Sequence, residues 1–366
     1  MSQPIYVTQP VLPELEKFIP YLEQIWNNKI LTNCGPLHQQ LEQELCEYLG
    51  VKHISLFNNG TIALITALQA LGLDQGEVIT TPYTFIATAH SIVWNRLTPV
   101  FVDIDPITSN IDPTEVEKAI TNQTVAILPV HCYGIPCDVD RLKEISERHK
   151  IKLIYDAAHA FGINYKGESL LNYGDLSVIS FHATKVFNTF EGGAIVSHSE
   201  EMKQRIDQLR NFGIQNETTV DEVALNGKLS EVHAALGLLQ LKTIDQTLEA
   251  RNQLDKIYRD ALFGIKGIRC LERSGIEKDN SAYFPIMIDD LYPLSRDDLF
   301  EKLKANNIFA RKYFYPIMTE FHIYKQYSAA TPNAKWLSDR VLCLPLYPTL
   351  SIDECKKIVA LIKDGL

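Results

Sequence analysis

A lysine that follows an apolar run is the first group in the sequence that could do covalent chemistry. The run Leu176 to Phe181 predicts a buried strand, and the polar turn His182-Ala183-Thr184 then presents Lys185. The pair Gly192-Gly193 lets the chain reverse into a second apolar run, Ala194 to Val196. Most lysines are solvated surface charges, so this amine is either a packing accident or a nucleophile whose pKa is lowered by its surroundings.

A carboxylate stands at the end of a second apolar run, upstream of the lysine. The run Leu153-Ile154-Tyr155 ends in Asp156-Ala157-Ala158-His159. Open α/β sheets bind their ligands at the carboxyl ends of parallel strands, so we expect Asp156 and Lys185 to converge at one edge of a sheet.

The elements that must position these groups alternate between apolar strands and helices. Strands are predicted near 53–57, 78–80, 100–102, 125–130 and 152–155, and helices near 62–71, 86–94, 113–120 and 139–149. This alternation predicts a mostly parallel sheet covered by helices. The polar stretch 215–227 is expected to form an exposed loop. A long helix with a break follows between about 230 and 258. Beyond it, strands and helices segregate, which indicates a smaller α+β unit.

One turn in this pattern could bind an anion. Asn58-Asn59-Gly60-Thr61 lies between a predicted strand and a predicted helix, where unpaired amides and the helix dipole favour phosphate. A simple helix cap is a commoner use of such a turn, and the residues alone leave both interpretations open.

Taken together, the two motifs resemble the sugar aminotransferases of the DegT/DnrJ/EryC1/StrS family. The strand ending in Asp156-Ala157-Ala158-His159 and the later phrase Ser180-Phe181-His182-Ala183-Thr184-Lys185 are highly specific in that order, and the resemblance runs from about Pro4 to the C-terminus. The family uses pyridoxal 5′-phosphate (PLP) on the fold type I scaffold. The resemblance therefore implies a large α/β domain with a mostly parallel seven-stranded sheet, over 1–245, and a smaller C-terminal α+β domain, over 246–366.

The resemblance also assigns three catalytic roles. Lys185 would form the Schiff base with PLP and carry protons during transfer of the amino group. Asp156 would keep the pyridine nitrogen protonated, because a nearby negative charge favours the cationic ring. His159 would reach the phenolic oxygen of the cofactor. Without the resemblance, these would be a surface lysine, a helix cap and a structural histidine.

Five further residues complete the implied cofactor site. Gly60, Thr61 and Ser180 would bind the phosphate, and Phe85 would stack on the ring, with Tyr83 as the neighbour most easily confused with it. Asn226 would reach the phosphate from the partner subunit of a homodimer. The family usually carries arginine two residues after that asparagine, whereas this chain has Lys228, which keeps the charge but not the planar fork.

The composition of the chain argues against several other classes of protein. The 366 residues are 46% hydrophobic and carry a net charge of −10, which predicts a globular chain and argues against nucleic acid or an anionic membrane as partner. The seven cysteines include no C-x-x-C pair, and the start has no apolar leader, so we expect a cytoplasmic protein with reduced thiols. The spacing of His131, Cys132 and Cys137 matches no standard metal site, so no metal is expected.

The substrate prediction depends on the resemblance of three phrases. Val7-Thr8-Gln9-Pro10, Leu31-Thr32-Asn33-Cys34-Gly35-Pro36 and Phe57-Asn58-Asn59-Gly60-Thr61 are similar to those of family enzymes that aminate dTDP-4-keto-6-deoxy-D-glucose at C4. With L-glutamate as donor, the product would be dTDP-4-amino-4,6-dideoxyglucose, for O-antigen or a related glycan.

Three alternatives remain open at this point. The first is an aminotransferase that acts on a 3-keto sugar. The second is a PLP-dependent sugar dehydratase, although related dehydratases carry histidine in place of the Schiff-base lysine. The third is a non-catalytic regulatory protein of the same fold.

Overall fold

The chain folds into alternating strands and helices, followed by a smaller group of elements. The structure, a computed structural model, describes residues 3–364, so positions 1–2 and 365–366 of the two predicted domains lie outside it. The α-helices within that range are α1 (Leu15–Asn28), α2 (Pro36–Leu49), α3 (Gly60–Ala70), α4 (Ile86–Trp94), α5 (Pro113–Ala119), α6 (Val139–His149), α7 (Glu200–Arg210), α8 (Glu231–Leu241), α9 (Ile244–Leu262), α10 (Arg296–Ala305), α11 (Pro332–Arg340) and α12 (Ile352–Lys363).

The β-strands fall into five sheets in the described part of the chain. They are β1 (Ile5–Tyr6), β2 (His53–Phe57), β3 (Glu77–Thr80), β4 (Thr98–Phe101), β5 (Thr124–Ile127), β6 (Lys152–Asp156), β7 (Asn164–Tyr165), β8 (Glu168–Ser169), β9 (Leu176–Ser180), β10 (Gly193–Ser197), β11 (Ile214–Asn216), β12 (Thr219–Val220), β13 (Ile268–Cys270), β14 (Ile276–Lys278), β15 (Phe284–Ile288), β16 (Ile308–Phe309) and β17 (Val341–Leu344).

The central sheet contains seven strands in the order β2-β10-β9-β6-β5-β3-β4. Strand β10 is antiparallel to both of its neighbours, and the pairs from β9 to β4 are all parallel. The predicted mostly parallel seven-stranded sheet is therefore confirmed.

Apolar side chains cover both faces of this sheet. On one face Leu41 and Leu45 of α2 pack into a core with Tyr155 of β6. On the other face Leu64 and Leu68 of α3 pack with Ile154. Because helices bury both faces, the central strands are mostly apolar and buried along most of their length.

Three strand ends meet at one edge of the sheet. Asp156 of β6 pairs in register with Val178 of β9, so these parallel strands end side by side. Strand β2 points in the same direction, because it is antiparallel to β10, which is itself antiparallel to β9. The loops that follow the three strands, including the loop that carries Lys185, therefore share this edge.

A second group of elements follows the central sheet. Strands β13, β15 and β17 form an antiparallel sheet whose core includes residues of α9, α10 and α12. Helix α9 joins the two cores, because its Leu248 packs in the first and its Leu254 in the second. The predicted domain boundary at 245 falls at the start of α9, and the division into two domains stays a prediction.

The structure differs from the sequence-based prediction at one surface segment. Residues 215–227 were expected to form an exposed loop, but β11 and β12 pair there as a short antiparallel hairpin. None of the helices within residues 3–364 combines the length and the apolar character that a membrane crossing requires.

Candidate active site

One cavity of about 240 Å³ lies at the shared edge of the central sheet. Seven of the eight predicted site residues line it, namely Gly60, Thr61, Phe85, Asp156, His159, Ser180 and Lys185. The structure therefore brings together residues that are separated by up to 125 positions in the sequence.

The loop after β9 holds Lys185 in place through its own backbone. The amide of Lys185 donates to the carbonyl of His182 at 2.8 Å, which forms a tight turn directly before the lysine side chain. The amide of Thr189 donates to the carbonyl of Phe181 at 3.0 Å and closes the loop. The lysine is thus fixed at its position by the end of a buried strand.

The glycine pair after this loop is required by close packing. A Cβ on Gly192 would lie 2.1 Å from Oγ1 of Thr189, and a Cβ on Gly193 would lie 2.7 Å from the amide nitrogen of Gly60. Only glycine allows β10 to approach the start of α3 this closely. The pair therefore determines the position of the first turn of α3 against the cavity.

The Lys185 amine is withdrawn from bulk water although the side chain is partly exposed to the cavity. Burial lowers the pKa of Lys185 to about 8, and the charge of Asp156 opposes that shift. Its Nζ lies 5.8 Å from the centre of the Tyr283 ring. About a tenth of this amine is therefore neutral, and nucleophilic, at pH 7, far more than for an ordinary lysine.

Asp156 is a buried carboxylate that accepts hydrogen bonds from two neighbouring groups. Its Oδ2 accepts from Oγ1 of Thr88 at 2.8 Å, and its Oδ1 accepts from the amide of Ala158 at 3.1 Å. Burial raises the pKa of Asp156, whereas these two donors and Lys185 lower it and offset part of the rise. The donors therefore favour the charged form of a group that burial alone would neutralise.

His159 is held in one tautomer. Its Nδ1 accepts a hydrogen bond from the amide of Tyr133 at 3.1 Å, and burial together with Lys185 keeps the pKa of His159 well below its usual range. The neutral ring must therefore carry its hydrogen on Nε2. The Phe314 ring lies parallel to it at 6.2 Å, which fixes the plane of the imidazole.

The turn after β2 presents the start of α3 to the cavity. The side chain of Asn59 caps the helix by accepting from the amide of Ile62 at 2.8 Å. The amides of Gly60 and Thr61 precede that bond and lie at the open end of the helix. A Cβ on Gly60 would lie 3.1 Å from Cβ of Ser180, so this hydroxyl-bearing residue adjoins the same helix end.

The two aromatic candidates lie in different environments. Phe85 is 58% exposed and lines the cavity at the start of α4. Tyr83 is fully buried, and its hydroxyl lies 2.5 Å from that of Tyr133. Phe85 is therefore free to contact a planar ligand, whereas Tyr83 belongs to the core.

Asn226 does not lie with the other predicted residues. It is exposed, forms an isolated backbone bridge with Asn211, and is absent from the cavity wall. The amine of Lys228 donates to Oδ1 of Asn211 at 2.8 Å and lies over the ring of Phe212. Within a single chain, therefore, Asn226 makes no contribution to the cavity.

Comparison with known proteins identifies the family. The model of the DegT/DnrJ/EryC1/StrS aminotransferase family matches residues 14–363. The chain belongs to this family. The prediction that it is an aminotransferase is thereby confirmed.

Relatives and solved structures of this aminotransferase family match over the whole chain. A Shigella dysenteriae protein named dTDP-4-amino-4,6-dideoxy-D-glucose transaminase is 57% identical over 366 residues, which is 100% of both chains. An Escherichia coli protein of the same name is 52% identical and covers 98% of each chain. The crystal structure of DesI in the presence of its TDP-sugar product superimposes with a TM-score of 0.94 at 34% identity, over 99% of this chain and 93% of DesI. The aminotransferase fold predicted from the motifs is confirmed.

Several residues of this cavity were not predicted from the sequence. Thr88 contacts Asp156, and Tyr283, Tyr313 and Phe314 line the cavity from the C-terminal part of the chain. The sequence signal for Thr88 was its spacing of one helical turn from Thr84. In the structure the two hydroxyls lie 2.8 Å apart. The aromatic residues gave no signal, because they reach the cavity only through long-range packing.

Proposed function

We propose that this chain transfers an amino group from L-glutamate to C4 of dTDP-4-keto-6-deoxy-D-glucose, with PLP as cofactor, and releases dTDP-4-amino-4,6-dideoxyglucose. The observation that carries the proposal is the 57% identity, over the full length of both chains, to a transaminase named for this amino sugar. The cavity supports it, because an amine of lowered pKa, a buried carboxylate and a neutral imidazole surround one space.

The residues of the cavity fit PLP at both of its ends. The helix start at Gly60 and Thr61, with Ser180 beside it, suits the phosphate, because helix amides favour an anion and a Cβ on Gly60 would narrow the space. Asp156 suits the pyridine nitrogen, and the exposed ring of Phe85 suits a planar face. When bound, PLP supplies an aldehyde carbon that takes up the amino group and a ring that withdraws electrons from the adjacent C–H bond.

Lys185 would perform two tasks in this reaction. Its amine would hold the cofactor before substrate arrives, and once freed it would move a proton between the substrate carbon and the cofactor carbon. Both tasks need the neutral amine as well as the charged one, and a pKa of about 8 makes both forms available near neutral pH.

Asp156 and His159 would hold protons at fixed positions. The Asp156 carboxylate would keep a proton on the pyridine nitrogen, and Thr88 with the amide of Ala158 would keep that carboxylate charged. His159 would donate from Nε2 to the phenolic oxygen, since the amide of Tyr133 already occupies Nδ1.

The phosphate site also supports a proposal about assembly. Asn226 is exposed and lies outside its own chain's cavity. It can have the role that the family resemblance implies if, in a homodimer, it contacts the PLP phosphate bound in the partner's cavity. We propose further that the enzyme acts in the cytoplasm and supplies an amino sugar for lipopolysaccharide O-antigen or a related glycan.

The proposed chemistry is tested by comparing two lysine variants. In the parent, lysine-bound PLP should give a yellow colour that borohydride abolishes. Lys185→Ala should remain folded and lack this colour, and its transamination rate should fall at least about a thousandfold. Lys118→Ala is the matched control, because Lys118 is exposed and pairs with the surface residue Glu115 at 2.7 Å, so the control should keep both properties. Transamination by Lys185→Ala at the parental rate would overturn the assignment.

A further inference from the structure

A second cluster of reactive side chains lies outside the cavity, at the start of α2. It consists of Cys34, His38, Glu42 and Arg210, and we call it the Cys34 cluster. Sγ of Cys34 accepts a hydrogen bond from Nη2 of Arg210 at 3.2 Å. Nη1 of the same guanidinium donates to Oε1 of Glu42 at 2.9 Å, so a buried cation joins the thiol to a carboxylate. The aminotransferase chemistry uses none of these groups.

The histidine of the cluster has one ring nitrogen without a hydrogen-bond partner. His38 is 1% exposed, and its Nε2 lies 3.1 Å from Oε1 of Glu42. Its Nδ1 is buried with no hydrogen-bond partner, and the Cys34 thiol lies beside this ring. The thiol therefore faces both a guanidinium and an imidazole that has an unsatisfied nitrogen.

The charges around Cys34 favour its thiolate. Burial and the charge of Glu42 raise the pKa of the Cys34 thiol. His38 and Arg210 lower this pKa by a larger amount, so the net shift is downward. Lys228 adds a second nearby cation. The effect comes from these side chains and not from the helix end, because the Glu231 carboxylate already occupies the first amides of α2 at 2.9 Å.

The other six cysteines provide an internal comparison. Burial raises the pKa of every one of them, namely Cys46, Cys132, Cys137, Cys270, Cys343 and Cys355. Cys46 and Cys270 are partly exposed, as Cys34 is, so access alone does not distinguish the three. The local charge is what separates Cys34 from them.

We propose that Cys34 is a thiol–disulfide modification site that accepts a low-molecular-weight disulfide. The Cys34 thiolate attacks one sulfur of the small disulfide, a new S–S bond forms, and the old S–S bond breaks. The second half of the reagent leaves as a thiolate, so the small disulfide is the oxidant: it is reduced as Cys34 is oxidised. Arg210 stabilises the attacking sulfur, and His38 is placed to take the thiol proton.

The test is competition among the cysteines of the unmodified enzyme. The purified protein with its cofactor is incubated with oxidised glutathione at pH 7, and the modified peptides are quantified by mass spectrometry over time. The Cys34 peptide should be modified at least about tenfold faster than the Cys46 and Cys270 peptides, and dithiothreitol should reverse it. Equal or slower modification of Cys34 would overturn the proposal.

Two variants and a pH series sharpen the result. Cys270→Ser should keep the rapid phase of modification and Cys34→Ser should abolish it. Alkylation of the Cys34 peptide by iodoacetamide should reach half its maximal rate at a lower pH than alkylation of the Cys270 peptide. A midpoint pH for alkylation of Cys34 that is equal to or higher than that of Cys270 would contradict the proposal. This comparison is made within the unmodified enzyme and needs no variant.

Discussion

The charge of Asp156 depends on two small hydrogen-bond donors that compensate for its burial. Removing water from a carboxylate raises its pKa. The hydroxyl of Thr88 and the amide of Ala158 lower the pKa again and offset part of that rise. In the proposed mechanism, Thr88 therefore acts through Asp156 and does not touch the reacting atoms itself.

The substitution Thr88→Val tests this positioning role. It removes a donor to a charged group worth about 1.5 kcal/mol, so the turnover number should fall about tenfold. The pKa of Asp156 should rise further, which moves the acid limb of the pH–activity profile to higher pH because the charged carboxylate is the working form.

A matched control exists in the same chain. Oγ1 of Thr66 in α3 is fully buried and has no hydrogen-bond partner, so Thr66→Val should leave both turnover and the pH profile unchanged. An acid limb that does not move in Thr88→Val would show that Thr88 has only a packing role.

At the residue level, short motifs predicted much of the cavity and packing explains the rest. Lys185, Asp156 and His159 were predictable because each lies at or shortly after the end of a buried strand in a specific phrase. Thr88 and Tyr283 were not, because their contacts depend on how α4 and the C-terminal elements pack against those strands. Asn226 was predicted in the site and lies outside the cavity of its own chain.

Among the elements, α3 connects local sequence to the proposed phosphate end of the cavity. Its cap residue Asn59 holds the amide of Ile62 at 2.8 Å and leaves the amides of Gly60 and Thr61 directed outward. The placement of the first turn thus depends on this side-chain hydrogen bond together with the close approach of Gly193.

The substitution Asn59→Ala tests this dependence. It should lower the free energy of unfolding by about 1 kcal/mol and weaken PLP binding about threefold or more, because the helix end loses its alignment. Ser199→Ala is the control, since Ser199 caps α7 in the same way by accepting from the amide of Met202 and lies outside the cavity wall. It should lose similar stability but keep PLP affinity, as measured by thermal unfolding and cofactor titration. Equal PLP affinity in both variants would contradict the role of this helix end.

Element order and type were largely predictable, and strand partners were not. The alternating pattern predicted the parallel strands, because residues buried on both faces read as apolar runs. The hairpin of β11 and β12 was predicted as a loop, since the stretch that begins at Gln215 is mostly polar, and the strand residues are largely exposed. Strand β1 is two residues long and pairs with the distant β16, a contact that no local pattern indicates.

For the whole molecule, the proposed dimer predicts that inactive variants complement each other. Lys185→Ala lacks the amine but keeps Asn226, and Asn226→Ala lacks the amide but keeps the amine. A mixed dimer contains one site with both groups, so dissociating and re-associating an equal mixture should recover about a quarter of the parental activity. Recovery no greater than the sum of the two separate variants would refute a shared site.

The central claim is the amination of a nucleotide-linked sugar at C4, and the product of a single reaction tests it most directly. The enzyme is incubated with PLP, nitrogen-15-labelled L-glutamate and dTDP-4-keto-6-deoxy-D-glucose, and the product is analysed by mass spectrometry and NMR. We predict 2-oxoglutarate and a dTDP-4-amino-4,6-dideoxyglucose that carries the label on C4. A label on C3, or turnover only with a 3-keto isomer, would contradict the claim.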